Sequence, residues 1–475
     1  MKRVGQYLSY AAGAFGHDAF YATLSTYFMI FVTSQLFTSS DSAFNNHMIQ
    51  LVTVMILVIR LVEIFFDPII GGVVDNTRTK WGKFKPWLVI AGALSSIFLV
   101  IIFTDFGGLA TANPTLYLIL FGIVFVLLDS VYSFKDIAFW SMLPALSLDN
   151  RERAKFGTVA RFGSTLGAQG VQIVVIPLVL FFSGVFGASS GNESQAGWTW
   201  FAIIIAIIAY VGTLLTVFGT KEEDNIVRRN TEKTSVFKVF KVVGQNDQLM
   251  WQAISYIIFA LAYVVTNSML LYYFKYVLGA EHSFYLVGIF TAIEGMIAVA
   301  IFPVLSRFMQ RKLIFLSGAI IMLLGYTLFL FVGSNIPLVL IAVTLFFTPY
   351  PIMFLVVLMT ITDSVEYGQW KNGTRNESVT LAIRPLLDKL AGAVANGVVG
   401  FAAVAAGMTG TAKAADITAS GLTQFKTFMF YGPMILIVIS TIIFWRKVTL
   451  TEESHTKIVD ELKVRLTAKE AAEGK

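Results

Sequence analysis

The sequence predicts an all-α membrane protein built as a bundle of twelve transmembrane helices in two six-helix halves. Three observations support this fold class: the composition, the number of long apolar segments and the distribution of charge between them. Of the 475 residues, 56% are hydrophobic and only 13% are charged, whereas a soluble domain usually has about 25% charged residues. One soluble core cannot bury this much apolar surface, but a lipid bilayer accommodates it.

Twelve apolar segments are long enough to cross a bilayer. Each crossing needs about 20 residues, so twelve need about 240, and a chain of 475 residues supplies them. The N-terminus has no short apolar stretch that ends in a small-residue cleavage site, so we expect the first helix to be retained. The predicted segments are 8–37, 46–74, 86–104, 116–144, 156–184, 198–219, 249–278, 284–305, 312–333, 337–362, 379–407 and 425–445.

The loops between these segments alternate in charge. Loops after the even-numbered segments are rich in Lys and Arg, as in Arg78–Lys85 and Arg307–Lys312. The alternate loops 38–45, 105–115, 185–197 and 334–336 contain no Lys or Arg, and 408–424 contains only Lys413. Because basic loops stay on the cytoplasmic side, this alternation predicts a multi-pass protein with both termini in the cytoplasm.

The longest polar stretch divides the chain into two halves. We expect an N-terminal six-helix half at 1–219, a cytoplasmic central loop at 220–248, a C-terminal six-helix half at 249–445 and a cytoplasmic tail at 446–475. Asp67-Pro68 and Phe302-Pro303 each precede a basic loop, which is a faint sign of duplication. Two such halves around a central substrate site are a common plan for a secondary transporter.

Several function classes are excluded. The net charge of +6 comes from short loops between apolar segments, so it indicates contact with membrane lipid and not with nucleic acid. The chain has no cysteine, so disulfides and thiol chemistry are excluded. It has no phosphate-binding Gly-x-x-x-x-Gly-Lys motif and no His-Glu-x-x-His zinc motif. We therefore expect no enzyme activity, no cofactor and no metal site.

Ionisable residues within apolar segments are costly, and each is a candidate for function. Segment 2 contains Arg60, Glu63 and Asp67. Glu63 and Asp67 are four residues apart and share a helix face, so one carboxyl should hold a proton or a cation should lie between them. That is the chemistry of a proton- or sodium-coupled carrier. Alternatively, Arg60 neutralises Glu63 and the pair only fixes helix packing.

Segments 1 and 4 suggest a sugar site. Tyr132, Asp136 and Trp140 lie at four-residue spacing on one face of segment 4. A carboxylate beside aromatic rings can accept hydrogen bonds from sugar hydroxyls while a ring packs on the C–H face. Asp18 in segment 1 is a second candidate, whereas its neighbour His17 is expected to be a packing residue. The alternative is an aromatic packing stripe in which Lys135 or another helix neutralises Asp136.

Further charges lie in segments 5 and 11. Arg161 is found in an otherwise small and apolar stretch. Arg384 and Asp388 are four residues apart and can form a pair on one helix face, which leaves Lys389 to face a carboxylate of segment 1 or 4. Cations and carboxylates are present in comparable numbers, as expected for a pocket that binds polar substrates and coupled ions.

These residues resemble the glycoside–pentoside–hexuronide:cation symporter family. This family is a branch of the major facilitator superfamily that includes the melibiose carrier and the lactose and galactoside carriers of lactic-acid bacteria. The resemblance covers essentially the whole chain. It is carried by the stretches 10–16 (YAAGAFG), 67–71 (DPIIG), 81–87 (WGKFKPW), 136–141 (DIAFWS) and 363–371 (DSVEYGQWK).

The resemblance implies a role for each matching residue. It implies a sugar site in which two carboxylates bind the hydroxyls, an arginine supports them and aromatic rings line the pocket. It also implies a cation site with a lysine nearby. The implied sugar-site residues are Asp18, Asp136, Arg161, Tyr132, Trp140, Phe354 and Glu377, and the implied cation-site residues are Asp67, Glu63, Ser133 and Lys389, with Arg60, Arg384 and Asp388 as supporting charges.

Departures from the family pattern bear on the ion and the sugar. Glu63 stands where sodium-using members have aspartate, Ser133 where they have threonine, and Phe66 where they have asparagine. Phenylalanine removes an oxygen ligand that sodium would need, whereas a proton needs only one titratable carboxyl. Protons are therefore favoured over sodium. Phe354 replaces a tryptophan of the melibiose carrier and Thr374 a histidine of the lactose carriers, which leaves the sugar open.

The expected function is symport of a small glycoside with a cation across a bacterial cytoplasmic membrane. A galactoside such as lactose, melibiose or raffinose is the first candidate for the sugar, and a xyloside such as isoprimeverose is the second. The coupling ion is expected to be H⁺, with Na⁺ as the alternative. Two rival functions are a carrier of non-sugar cargo with the same fold and a membrane sensor that transports nothing. The sequence carries no signal for an oligomeric state.

Overall fold

The structure, a computed structural model, describes residues 3–147, 150–189, 191–222, 236–373 and 376–472. Every named element in these ranges is a helix. Ten helices among the described residues are long and apolar enough to cross a membrane, and the pair Glu281–Ala298 and Ala300–Phe308, bent by 44°, forms an eleventh span. The continuous helical run 3–36 completes a set of twelve. The protein is therefore an all-α, multi-pass membrane protein with the helix count that the sequence predicts.

Most of the twelve segments begin and end within about six residues of the predicted positions, but the tenth, predicted to end at 362, continues as a helix to Asn372. The helices take up most of the chain, so the loops between them are short. The helices are α1 (3–36), α2 (Ser42–Asn76), α3 (Lys85–Ile102), α4 (Pro114–Met142), α5 (Asn150–Val185), α6 (Gln195–Gly219), α7 (Asp247–Val277), α8 (Tyr285–Phe308), α9 (Arg311–Phe331), α10 (Ile336–Asn372), α11 (Glu377–Ala405) and α12 (Ala419–Lys447).

Three of these helices contain π-helical turns that hydropathy does not predict. They occur at Thr23–Tyr27 and Val32–Leu36 in α1, at Tyr273–Val277 in α7 and at Thr427–Tyr431 in α12. A π turn inserts an extra residue into the helix and rotates the side chains that follow, and it often occurs at functional sites. The turn in α7 contains Lys275, which is important below.

The chain divides into two compact units. The first unit comprises Met1–Lys233, Val265–Ala292 and Gly392–Met429, and the second comprises Thr234–Val264, Ile293–Ala391 and Phe430–Lys475. The first unit thus contains the six N-terminal helices together with parts of α7, α8, α11 and α12. The division into six-helix halves at 1–219 and 249–445 rests on the sequence and stays a prediction.

In the first unit, α1 lies against α5 and α6 through small residues. A Cβ added at Gly167 of α5 would lie 2.1 Å from the carbonyl oxygen of Phe15, and one at Gly163 would lie 2.2 Å from that of Ala11. On the other side, a Cβ at Gly212 of α6 would lie 2.5 Å from the Ala12 carbonyl oxygen. Glycines that allow backbones to approach closely are typical of helix packing in lipid. This packing fixes the position of α1, and with it His17 and Asp18.

In the second unit, a final helix, α13 (Glu452–Ala472), packs on α10. Leu450, Ile458 and Leu462 bury their side chains against Tyr367 and Trp370. The Trp370 indole also donates a hydrogen bond to a Glu461 carboxylate oxygen at 2.8 Å. The predicted tail is therefore helical. The central loop contains the helix Val236–Gln245, and its residues 223–235 lie outside the described ranges.

Candidate functional site

The candidate sugar-site residues of α4 meet around His17 of α1. His17 Nε2 lies 3.0 Å from Asp136 Oδ1 and 3.2 Å from the Tyr132 hydroxyl oxygen. The Trp140 ring stands edge-on to the imidazole, with centroids 6.0 Å apart. The predicted shared face of Tyr132, Asp136 and Trp140 is therefore present in the fold. The residue that joins them is His17, which the sequence analysis treated as a packing residue.

Aromatic contacts hold this group in place. The Tyr132 ring stacks on Phe20 with centroids 4.9 Å apart, and His17 stacks on Phe139 at 5.1 Å. Tyr132 and His17 are almost fully buried, at 5% and 2% exposure, whereas the Asp136 side chain retains 24%. Asp136 is therefore held by a buried neighbour but remains accessible to a solute. Asp18, one residue after His17, is partly buried.

A buried lysine accompanies the carboxylates. Lys135 is 1% exposed, and its Nζ has no hydrogen-bond partner in the described part of the chain. The ammonium group lies 4.8 Å from the centroid of the Phe20 ring and attracts the carboxylates of Asp136 and Asp18. Lys135 therefore contributes positive charge to this region, as in the alternative interpretation from the sequence. The Nε2 atom of His17 lies within hydrogen-bonding distance of Asp136.

The candidate cation-site residues Glu63 and Ser133 are in direct contact. The hydroxyl of Ser133, which is fully buried, donates a hydrogen bond of 2.5 Å to Glu63 Oε1. Ser133 follows Tyr132 in α4, so adjacent residues of one helix turn reach the sugar-site group and the acidic pair. Asp67 lies one turn after Glu63 in α2 and is partly buried. The Glu63 carboxyl is thus positioned where a change of its protonation can affect α4.

Arg60 of α2 is buried near this pair. It is 8% exposed, and the carboxylate that attracts it most strongly is Asp129, ahead of Glu63. Its guanidinium carbon also lies 5.8 Å from the centroid of the Phe125 ring. Asp129, which the sequence analysis did not single out, is therefore the principal counter-charge of Arg60. Glu63 also attracts Arg60, so the alternative in which Arg60 neutralises Glu63 stays open.

Three further residues named in the sequence analysis cannot be assigned contacts within the site. Arg161 lies on α5 with an exposed side chain. Glu377 begins α11, but its side chain lies outside the described part of the protein, as does the whole of Thr374. Their roles stay predictions.

The candidates of the second unit form their own cluster. Arg384 donates a hydrogen bond of 2.7 Å to Asp388, which confirms the expected pair, and Tyr256 of α7 also donates its hydroxyl proton to Asp388. The guanidinium carbon of Arg384 lies 5.1 Å from the centroid of the Phe354 ring. Lys389 follows Asp388 in α11 and is partly buried. Of the predicted supporting charges, Arg384 and Asp388 therefore pair with each other, and Arg384 also packs on the Phe354 ring.

The chemistry of these groups suits the binding of a polar solute. In the described residues, no group of three or more His, Cys, Asp or Glu side chains is arranged to hold a metal ion. Carboxylates beside aromatic rings can bind sugar hydroxyls and C–H faces. The Glu63 carboxyl, hydrogen-bonded within the same helical layer, can hold or release a proton.

Sequence comparison relates the chain to known transporters. The profile of the family described as MFS/sugar transport protein matches residues 9–452. The lactose permease of Lactobacillus delbrueckii subsp. bulgaricus is 46% identical over 464 residues, which are 98% of this chain and 73% of the permease. The raffinose carrier protein of Pediococcus pentosaceus is 46% identical over 462 residues, which are 97% of this chain and 72% of the carrier.

The fold is also similar to solved transporter structures. The crystal structure of a D-xylose-proton symporter superposes with a TM-score of 0.62 and covers 94% of this chain and 97% of its own. The two sequences are only 16% identical, so this similarity concerns the fold alone.

Proposed function

This chain belongs to the MFS/sugar transport protein family, and on that premise we propose that it is a galactoside:proton symporter. The fold and relatives make it a sugar transporter that acts by symport with a cation. The galactoside as substrate, the proton as coupling ion and the residue roles below are the proposal. It is supported by the 46% identity to a lactose permease and a raffinose carrier, both named for sugars that contain a galactose unit.

The observation that carries the sugar site is the group around His17. Asp136 offers carboxylate oxygens to sugar hydroxyls, and its charge makes these hydrogen bonds stronger than neutral ones. The Trp140 ring beside it supplies an apolar face for the C–H side of a pyranose. His17 holds the carboxylate at 3.0 Å and thereby orients it before the sugar arrives. Asp18 and Arg161 of the same unit are proposed to complete the pocket.

Coupling is proposed to run from Glu63 to the sugar group through α4. Glu63 accepts the hydrogen bond of Ser133, and the preceding residue, Tyr132, contacts His17. Protonation of the Glu63/Asp67 pair removes a negative charge next to α4 and favours sugar binding. The ligands then shift a conformational equilibrium by their different affinities for its states. Transport leaves the sugar chemically unchanged, so no catalytic step is needed.

The proposed location is the cytoplasmic membrane of a bacterium, with both termini in the cytoplasm. The basis is the alternation of basic and non-basic loops. The non-basic loops 38–45, 105–115, 185–197 and 408–424 then face the outside. In this orientation, inward proton flow drives sugar into the cell.

The test is uptake of labelled sugar into proteoliposomes that contain the purified protein. Lactose, melibiose, raffinose and isoprimeverose are offered with an inward proton gradient and, separately, with an inward sodium gradient. We expect a galactoside to accumulate with the proton gradient and the accumulation to vanish with a protonophore. Accumulation driven by sodium alone would contradict proton coupling, and isoprimeverose as the only accumulated sugar would contradict the galactoside.

A further inference from the structure

A second group of buried charges lies at the end of the first unit that carries the non-basic loops. A cavity of about 780 Å³ is present there, lined by residues from the end of α1, the α5–α6 loop, α7 and the loops that follow α7 and α11. Three ionisable residues at its wall, Glu193, Lys275 and Glu281, are not among the residues assigned to sugar or cation binding. All three belong to the first unit.

Lys275 lies between two carboxyl groups. Its Nζ is 2.6 Å from Glu193 Oε2 and 4.0 Å from Glu281 Oε1. Glu193 Oε2 also accepts hydrogen bonds from the Gln35 amide at 3.2 Å and the Trp198 indole at 3.3 Å. The Glu193 side chain is only 3% exposed, and those of Lys275 and Glu281 are 14% and 20% exposed. The cluster is thus largely withdrawn from water.

One oxygen of each carboxyl lacks a hydrogen-bond donor. Neither Glu193 Oε1 nor Glu281 Oε1 has a hydrogen-bond partner in the described part of the chain, although both carboxyls lie beside the same Lys275 ammonium. One ammonium and two carboxylates would leave a net charge of −1 in a largely buried place, whereas one bound proton makes the three groups neutral.

The proton is expected on Glu281. Burial alone would raise the pKa of the Glu193 carboxyl, but the adjacent Lys275 ammonium and hydrogen bonds outweigh it and lower this pKa to about 2. Glu193 therefore stays ionised and Glu281 is the partner that can be neutral. The other titratable groups that face the cluster are Tyr272 and Tyr276 of α7 and, on the cavity wall, His282 and Lys413.

We propose that Glu193 and Glu281 form an external proton-binding site that closes the outer end of the protein when it is occupied. The ligand is a proton bound by this pair of carboxyls beside Lys275. The site joins the α5–α6 loop, which holds Glu193, to α7 and the segment after it, which hold Lys275 and Glu281. It is separate from the Glu63/Asp67 pair. The inference rests on the orientation proposed above but not on the identity of the sugar.

The direction of the pH effect follows from the charge. The closed state binds the proton, so its stability is greatest at low pH and is lost as the pH rises past the titration of the pair. Without the proton, a buried net negative charge remains, and separation of the α5–α6 loop from α7 relieves it. Raising the external pH should therefore open the outer end.

The test uses single cysteines, since the natural chain contains none. Ser34 lines the cavity, is 2% exposed, and its Oγ has no partner among the described residues. Ser34→Cys thus reports opening when it is labelled from outside by a membrane-impermeant maleimide. Thr111→Cys, on an exposed loop at the same end, corrects for the pH dependence of the thiol itself. The measured quantity is the ratio of the two labelling rates between pH 6 and pH 10, because burial and the neighbouring Glu193 raise the pKa of Glu281 to about 9.

We expect this ratio to rise with pH, by up to about tenfold per unit, the limit for release of one proton. In Glu281→Gln the amide imitates the protonated carboxyl, so the ratio should be low at every pH. Lys275→Met leaves two carboxyls without their cation and should raise the ratio at neutral pH. Asp105→Asn, which changes a carboxylate of another loop at the same end, should keep the parental pH dependence.

Three outcomes would overturn the proposal. The first is an unchanged pH dependence in both Glu281→Gln and Lys275→Met. The second is a fall of the labelling ratio when Na⁺ is added at constant pH, which would identify a metal-cation site instead of a proton site. The third is absence of Thr111→Cys labelling in intact cells, which would reject the external placement. Sugar uptake is not part of the readout, so a failed substrate assignment would not affect the result.

Discussion

At the scale of single residues, the most informative difference from the sequence-based prediction concerns His17. A lone histidine on an apolar helix usually packs, and the spacing along α1 gives no reason to treat it otherwise. Its role depends on how α1 lies against α4, where its Nε2 meets Asp136 and Tyr132. Asp129 met the criterion of an ionisable residue within an apolar segment, but its link to Arg60 crosses from α4 to α2 and could not be predicted from spacing. Sequence spacing predicts neighbours on one helix, not across two.

Asp136→Asn should weaken galactoside binding while it leaves the fold intact. The amide has nearly the same size, but it loses the negative charge that strengthens hydrogen bonds to sugar hydroxyls and to His17. Hydrogen bonds to charged groups contribute about 1.5–3 kcal/mol, so the dissociation constant should rise about 10- to 100-fold. Isothermal titration of the detergent-purified protein with the best galactoside measures it.

The matched control for this substitution is Asp105→Asn, which removes a carboxylate from a loop outside the membrane and should leave the affinity unchanged. A melting curve of Asp136→Asn separates a binding defect from unfolding. Unchanged affinity for every galactoside and xyloside tested, in well-folded protein, would remove Asp136 from the sugar site.

At the scale of elements, hydrophobic length predicted the helices well because the bilayer imposes it. The predicted segment 198–219 corresponds to α6 (Gln195–Gly219), and 46–74 to α2 (Ser42–Asn76). The π turns escaped prediction, since an extra residue within a turn does not change the mean apolar character. Lys275 lies in the turn at Tyr273–Val277, so the direction of its side chain could not be predicted from regular helical spacing. The abundance of glycine indicated close helix packing but not which pairs of helices meet.

Gly167→Ala should destabilise the protein because α1 and α5 cannot both keep their positions. The new Cβ would lie 2.1 Å from the backbone oxygen of Phe15, and backbone atoms cannot rotate away as a side chain can. Overpacking of this kind typically costs about 1–3 kcal/mol. The melting temperature in detergent should fall. Gly184→Ala in the same helix, where the Cβ would meet no described atom within 4 Å, should not lower it.

At the scale of the whole molecule, the sequence predicted that one helix bundle contains both a sugar site and a cation site. The acidic pair of α2 and the polar face of α4 were recognised separately from their spacing. The structure adds that Ser133 and Tyr132, consecutive residues of α4, contact Glu63 and His17 respectively. This adjacency gives the proposed coupling a physical route, since a change at Glu63 acts on the same helical turn that orients Asp136. The contact between α2 and α4 could not be predicted from the sequence of either helix alone.

Glu63→Gln should separate sugar exchange from proton-driven accumulation. The glutamine retains an oxygen that can accept the Ser133 hydrogen bond but cannot titrate, so the protein stays in the equivalent of its protonated form. In proteoliposomes, accumulation driven by a proton gradient should fall at least about tenfold, because release of the proton inside is part of each net transport cycle. Exchange of internal for external sugar needs no such release and should continue near the parental rate.

Glu453→Gln, which alters an exposed carboxylate of α13, should leave both activities unchanged. Full accumulation by Glu63→Gln under the proton gradient would show that the coupled proton binds elsewhere, and loss of both activities in folded protein would make Glu63 part of sugar binding instead of coupling.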